Sequence, residues 1–84
     1  MEKSSKNSRL KNAPIDWSAV GRRIRLLRGV DTTQDNFAGR VGITQSYLSL
    51  IEHGHGEIGP AVLLAISREF NKSIEWLLTG TETR

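Results

Sequence analysis

The chain has 84 residues, a length that supports one small domain and leaves no room for a second domain or a deep enzymatic cleft. It has no cysteine, which excludes disulfides, a thiolate nucleophile and cysteine-ligated zinc and suits a reducing compartment, so we expect a cytoplasmic protein. The formal net charge is +3, and no apolar run is long enough for a signal peptide or a membrane span, which argues against a membrane partner.

The basic residues at the start of the chain form a segment that we expect to be a flexible arm over residues 1–14. The rest of the chain contains eight of the 12 basic residues and eight of the 9 acidic residues, so its formal net charge is zero. A basic arm is compatible with a solvated tail or with a segment that lies along nucleic acid. Its cations are Lys3, Lys6, Arg9 and Lys11.

A first helix is predicted in the stretch DWSAVGRRIRLLRG, which opens a predicted domain over residues 15–80 that a short tail, 81–84, follows. Val20, Ile24 and Leu27 have the spacing of one helix face. Asp16 or Ser18 can cap the beginning of the helix, and the closing glycine can end it.

Two shorter helices follow, separated by a single tight turn. Thr33 can cap the stretch QDNFAGRV, which Gly42 ends because glycine adopts a left-handed conformation without steric cost. Thr44 can cap the stretch QSYLSLIEH, in which Leu48 and Ile51 share the inward face.

The last two helices come after a glycine-rich loop, HGEIG. Pro60 fits the first turn of the stretch AVLLAISREF, since its missing N–H would be unpaired there. Ser73 can cap the stretch IEWLLT, which Gly80 ends. No window alternates polar and apolar residues over the length of a strand, so the sequence predicts an all-α fold.

The segment from residue 34 to 53 combines a glutamine, a small residue, a turn glycine, two apolar residues and a closing acid and glycine, namely Gln34, Ala38, Gly42, Leu48, Ile51, Glu52 and Gly54. With these residues it resembles the helix-turn-helix of the lambda-repressor-like family, also called the Cro/cI or xenobiotic-response-element type. The likeness extends over residues 20–80 and includes SIEWLLTG, which is similar to the last helix of phage-repressor-type domains. It implies a compact bundle of five helices.

This resemblance implies a sequence-specific DNA-binding transcriptional regulator, and we expect a repressor that binds a palindromic operator as a homodimer. Helix 45–53 would enter the major groove. Two alternatives stay open: a protein–protein interaction domain of the same fold, suggested by the uncharged stretch from Gly42 to Gly54, and the antitoxin of a toxin–antitoxin pair. Nothing in the sequence suggests an enzyme or a cofactor.

The DNA contacts that the resemblance implies fall into two groups. Gln45 at the start of the third helix carries an amide that matches the N6 and N7 edge of adenine, and Gln34 braces it. For Tyr47 and Leu50, partial packing into the core is an equal alternative. The predicted base contacts are Gln45, Ser46, Tyr47 and Leu50, and the predicted phosphate contacts are Gln34, Thr44, Ser49 and His55.

Other side chains have predicted structural roles. The resemblance suggests an ion pair between Arg28 and Glu52 that joins the first helix to the third. The apolar stretch IEWLL predicts a dimer contact, with closure of the bundle as the alternative. Its residues are Trp76, Leu77 and Leu78. The run EHGHGE lacks a firm third ligand, so no metal site is expected.

Overall fold

The computed structural model describes residues 14–82, which form five α-helices and contain no strand. The helices are α1 (Trp17–Arg28), α2 (Gln34–Val41), α3 (Gln45–Glu52), α4 (Pro60–Phe70) and α5 (Ile74–Thr79). The predicted all-α class and all five predicted helices are confirmed. The arm cations Lys3, Lys6, Arg9 and Lys11 lie outside the described residues.

Side-chain caps fix where four of the helices begin. At the start of α1 the cap is Asp16, not Ser18, and its Oδ1 accepts from the N–H of Ala19 at 3.2 Å. Thr33, Thr44 and Ser73 cap α2, α3 and α5 in the same way. Each cap satisfies a backbone N–H that has no partner inside the helix. Pro60 opens α4, as predicted, without a side-chain cap.

The core lies between helices that pack in a ring of contacts. α1 packs on α3 and α5, α2 packs on α3 and α4, and α4 packs on α5. Phe37 of α2 stacks on Phe70 at the end of α4, with ring centroids 4.9 Å apart. The buried hydrophobic residues are Val20, Ile24, Phe37, Ala38, Val41, Leu48, Ile51, Ile58, Leu63, Ile66 and Leu77.

The position of Leu77 corrects one predicted dimer contact. Its side chain is 0% exposed in the isolated chain, because this face of α5 packs into the core against α1. A residue with no accessible surface has nothing to offer a second copy, so the prediction for Leu77 was wrong. Trp76 and Leu78 on either side are half-buried and keep accessible surface.

Polar side-chain contacts join two pairs of helices, α1 to α5 and α2 to α4. Arg23 of α1 donates from Nε to the carbonyl of Leu77 at 2.9 Å and from Nη2 to that of Leu78 at 3.0 Å. These carbonyls near the end of a helix lack intrahelical partners, so the guanidinium both caps α5 and fastens it to α1. An ion pair between Nη2 of Arg40 and Oε2 of Glu69, 2.9 Å apart, joins α2 to α4.

Among the described residues, no helix is long and apolar enough to cross a membrane.

Candidate nucleic-acid interface

One face of α3 points away from the bundle. Leu48 and Ile51 are buried, whereas Gln45, Ser46 and Leu50 are exposed. Leu50 keeps 49% of its surface exposed, which is high for a large aliphatic side chain. α3 therefore presents polar groups and one aliphatic side chain outward along its length.

A hydrogen bond joins the exposed face of α3 to the start of α2. The side-chain Nε2 of Gln45 donates to Oε1 of Gln34, as the resemblance predicted for this pair. Gln34 is the first residue of α2 and is half-buried. Gln45 is thus held by a neighbour that is itself packed.

Glu52, at the other end of α3, anchors this pair to α1. Its carboxylate accepts from Nε of Arg28 at 2.7 Å and from Nη2 at 2.9 Å, which is the predicted ion pair. It also accepts from Nε2 of Gln34 at 3.0 Å. Burial alone would raise the pKa of Glu52, but the hydrogen bonds from Arg28 and Gln34 outweigh it and hold the pKa below its ordinary value.

The chain of hydrogen bonds from Arg28 to Gln45 has only one possible direction. An ionised carboxylate can only accept, so the amide nitrogen of Gln34 must face Glu52 and its oxygen must face Gln45. The nitrogen of Gln45 then faces Gln34, and its oxygen is left outward as an acceptor. The ion pair therefore determines which amide atoms Gln45 presents on the exposed face of α3.

Comparison with known protein families identifies the family to which the chain belongs. Residues 22–77 match the family model described as helix-turn-helix. The chain belongs to this helix-turn-helix family. The predicted lambda-repressor-like character is confirmed. The segment predicted to form the motif, residues 34–53, corresponds to α2 and α3. No curated protein sequence matches the chain significantly.

Solved structures with the same fold include a phage repressor on DNA. The P22 c2 repressor, solved in complex with a synthetic operator, is 30% identical, with a TM-score of 0.68 over 74% of this chain and 96% of the repressor chain. The restriction-modification controller protein C.AhdI from Aeromonas hydrophila is 24% identical over 74% of this chain and 96% of its own, with a TM-score of 0.66. Family and neighbours together support a DNA-binding transcriptional regulator.

A bacterial regulator shares the fold at a similar distance. The clp gene regulator ClgR from Corynebacterium glutamicum is 24% identical, with a TM-score of 0.67, and the match covers 80% of this chain and 72% of ClgR. At this identity the likeness shows the fold.

The predicted phosphate contacts are spread over both helices: Gln34 begins α2, Thr44 precedes α3, Ser49 lies in the middle of α3 and His55 follows it. The Oγ1 of Thr44 accepts from the N–H of Tyr47 at 3.0 Å, which leaves its hydroxyl proton available to a phosphate. Gln34 keeps one side-chain N–H beyond its two internal bonds. His55 is exposed just after α3, whereas Ser49 is half-buried. Tyr47 is also half-buried and packs against the core.

His53 is a polar residue of the same exposed face that the sequence reasoning did not select. Its Nδ1 lies 2.8 Å from the carbonyl of Ser49, to which it donates when protonated, and the residue is exposed. A signal was present in the sequence, since residue 53 follows 45, 46 and 49 at helical spacing. Within residues 14–82, no three potential metal ligands lie together, and His53 belongs to no such cluster.

Most cations in the described part of the chain are occupied by internal partners. Arg28, Arg40 and Lys72 have carboxylate partners, and Arg23 binds the end of α5. Within residues 14–82, the cations with no such partner are Arg22, Arg25 and Arg68. The helix-turn-helix motif itself therefore offers hydrogen-bonding groups rather than positive charge.

Proposed function

We propose that this protein is a sequence-specific transcriptional repressor, without enzymatic activity or cofactor, that places α3 in the major groove of a palindromic operator. The oriented amide of Gln45 on the exposed face of α3 is the observation that carries the proposal. Support comes from membership of the family and from the P22 c2 repressor, whose solved structure includes a synthetic operator.

Gln45 has the free groups that recognise adenine. Its Oε1 is available to accept from N6, and the second hydrogen on Nε2 is available to donate to N7. Ser46 beside it can donate or accept. One turn later, Leu50 offers aliphatic surface suited to the methyl group of thymine. Tyr47 would add its accessible edge at the wall of the groove. We therefore expect A·T pairs to dominate each half-site.

Phosphate contacts would set the register of the protein on DNA. Thr44 and Gln34 supply uncharged donors at the N-termini of α3 and α2, where backbone N–H groups also favour an anion. Ser49 in the middle of α3 and His55 just after its end would add further contacts. Because this set carries no permanent positive charge, long-range attraction to DNA would rest on the arm cations at residues 3, 6, 9 and 11.

A homodimer would place two copies of α3 about 34 Å apart, in successive major grooves of a palindrome. Leu77 is buried in the core, but Trp76 and Leu78 of α5 keep accessible apolar surface that a second copy could contact. The Nζ of Lys72 lies 4.7 Å from the centre of the Trp76 ring, and this flexible side chain can move aside for a partner.

Selection of bound sequences from a random DNA pool tests the proposal directly. The wild type should enrich a palindrome that is rich in A·T pairs, and Gln45→Ala should lose the preference at one position in each half-site. Arg68→Gln on α4 is a matched control, because this exposed residue lies on a helix that packs on α2 and α5 rather than on the exposed face of α3. A pool that shows no enrichment would refute sequence-specific binding.

A second candidate function is a protein–protein interaction domain of the same fold, or an antitoxin that combines both roles. The exposed Leu50 on an uncharged helix favours it. Salt separates the candidates, since binding through phosphates weakens steeply as salt rises, whereas an apolar contact hardly responds. Purification with a bound partner protein would identify an antitoxin.

A further inference from the structure

A surface depression lies at the C-terminal end of α1 and has a volume of about 610 Å³. It is formed by the last turns of α1 and the start of the connection to α2. We call it the α1 patch. The residues that line it are Arg22, Arg25, Leu26, Arg28, Gly29 and Val30.

The α1 patch contains the most exposed aliphatic side chains in the described part of the chain. Leu26 is 75% exposed and Val30 is 98% exposed. Gly29 between them has φ 75° and ψ 176°, a conformation that favours glycine. Single exposed aliphatic residues are common, but two in one depression are typical of an interaction site.

The same depression is positively charged. Arg22 and Arg25 lie three residues apart on α1, are exposed, and have no carboxylate partner within residues 14–82. Arg28 is held by Glu52 and also donates from Nη1 to the carbonyl of Thr32 at 2.8 Å. Two guanidinium groups are therefore available to bind carboxylates, which they can do through paired hydrogen bonds.

We propose that the α1 patch binds an acidic segment of a partner protein that carries aliphatic side chains between its carboxylates. The carboxylates pair with Arg22 and Arg25, and an aliphatic side chain covers Leu26 and Val30. Nucleic acid fits this surface less well, because phosphates satisfy the arginines but leave both aliphatic side chains in water. The proposal is independent of DNA recognition by α3.

A model peptide of alternating glutamate and leucine provides the first test, with binding followed by NMR of the isotope-labelled protein. Backbone signals of residues 22–30 should shift, and those of residues 45–50 should not. Two control peptides replace leucine by serine or glutamate by lysine. Each control should bind about tenfold more weakly or worse, since each removes one half of the complementarity. Equal binding of the serine peptide, or shifts confined to other helices, would overturn the proposal.

Variants distinguish specific binding of the peptide at the α1 patch from nonspecific binding elsewhere on the protein. Arg22→Gln with Arg25→Gln, and Leu26→Ser with Val30→Ser, should each weaken the glutamate–leucine peptide about tenfold. The matched controls on α4, Arg68→Gln and Leu64→Ser, replace exposed residues of the same types and should change nothing. Controls that weaken binding as much as the patch variants would contradict a specific site.

The same variants distinguish this proposal from the proposed repressor function. Leu26→Ser with Val30→Ser should leave affinity for the selected DNA site unchanged. If duplex DNA shifts the signals of Leu26 and Val30 and displaces the peptide, the α1 patch belongs to DNA and the proposal of a protein partner fails. Failure to select any DNA site would refute the repressor function and leave the peptide result standing.

Discussion

Gly21 of α1 lies directly against the main-chain carbonyl of Ile51 in α3. A Cβ atom at residue 21 would be 2.1 Å from that oxygen, a distance that no side chain can adopt without moving the backbone of α3. The missing side chain of Gly21 therefore sets how closely α1 approaches α3. Because α3 carries the exposed face proposed to read DNA, this contact also sets the position of that face.

Gly21→Ala should destabilise the protein by about 1–3 kcal/mol or more, as expected for overpacking at a helix crossing. Gly39→Ala on α2 is the matched control, since a Cβ there meets nothing within 4 Å and residue 39 is helical. It should stabilise the fold by about 0.5–1 kcal/mol, the usual advantage of alanine over glycine in a helix. Urea unfolding measures both, and equal effects would contradict the close contact.

The ion pair of Glu52 should make stability depend on acid pH. Its folded pKa lies below the ordinary value of 4.5, because hydrogen bonds from Arg28 and Gln34 outweigh its burial. Its contribution is therefore fully present above pH 4.5 and is lost as the pH falls through the folded pKa. Glu52→Gln should lower the free energy of unfolding by about 2–4 kcal/mol at neutral pH.

The comparison of wild type with Glu52→Gln over pH isolates this group, since the other carboxyls titrate in both proteins. The difference in the free energy of unfolding should stay constant near neutral pH and shrink in acid. A difference that does not change with pH would contradict a stabilising carboxylate. Because glutamine at residue 52 no longer dictates the direction of the Gln34 and Gln45 amides, the variant should also lose base preference.

Removal of the oriented amide should affect specific binding alone. Gln45→Ala should weaken binding to the selected site by about 1–3 kcal/mol and leave binding to random DNA nearly unchanged, since the lost contacts are to a base edge. Band-shift titrations on both DNAs measure this, and the melting temperature should stay constant because residue 45 is exposed. An equal loss on both DNAs would argue against base readout.

Deletion of residues 1–12 should weaken DNA binding and flatten its dependence on salt, because the remaining chain no longer carries net positive charge. Affinity measured over a range of salt concentrations gives both quantities. A variant with Lys3, Lys6, Arg9 and Lys11 all replaced by glutamine keeps the length of the arm and should behave like the deletion. Unchanged binding at low salt would remove the arm from the interface.

The proposed dimer can be tested by sedimentation of the free protein. The wild type should associate at high micromolar concentration, and Trp76→Ala and Leu78→Glu should each shift it to monomer, because both residues keep accessible apolar surface on α5. Leu64→Ser, also exposed but on α4, is the control and should leave the dimer intact. A monomeric wild type, or a dimer that both α5 variants preserve, would contradict the proposal.

The sequence by itself determined the five helices, since the signals that fix them are local. Thr33, Thr44 and Ser73 cap the following turn through their own side chains, and Gly42 adopts the left-handed conformation, with φ 81°, that its turn requires. The spacing of Leu48 and Ile51 predicted the buried face of α3, and hence which residues would be exposed.

Only the tertiary structure decided the contacts between residues that are distant in the sequence. Gly21 fits no helix signal and gains its meaning from the carbonyl of a residue 30 positions later. Arg23 donates to carbonyls of α5. Leu77 is fully buried whereas Trp76 and Leu78 are only half-buried against the core, because the docking angle of a six-residue helix depends on what it packs against. The periodicity of a single short helix carries no information about that angle.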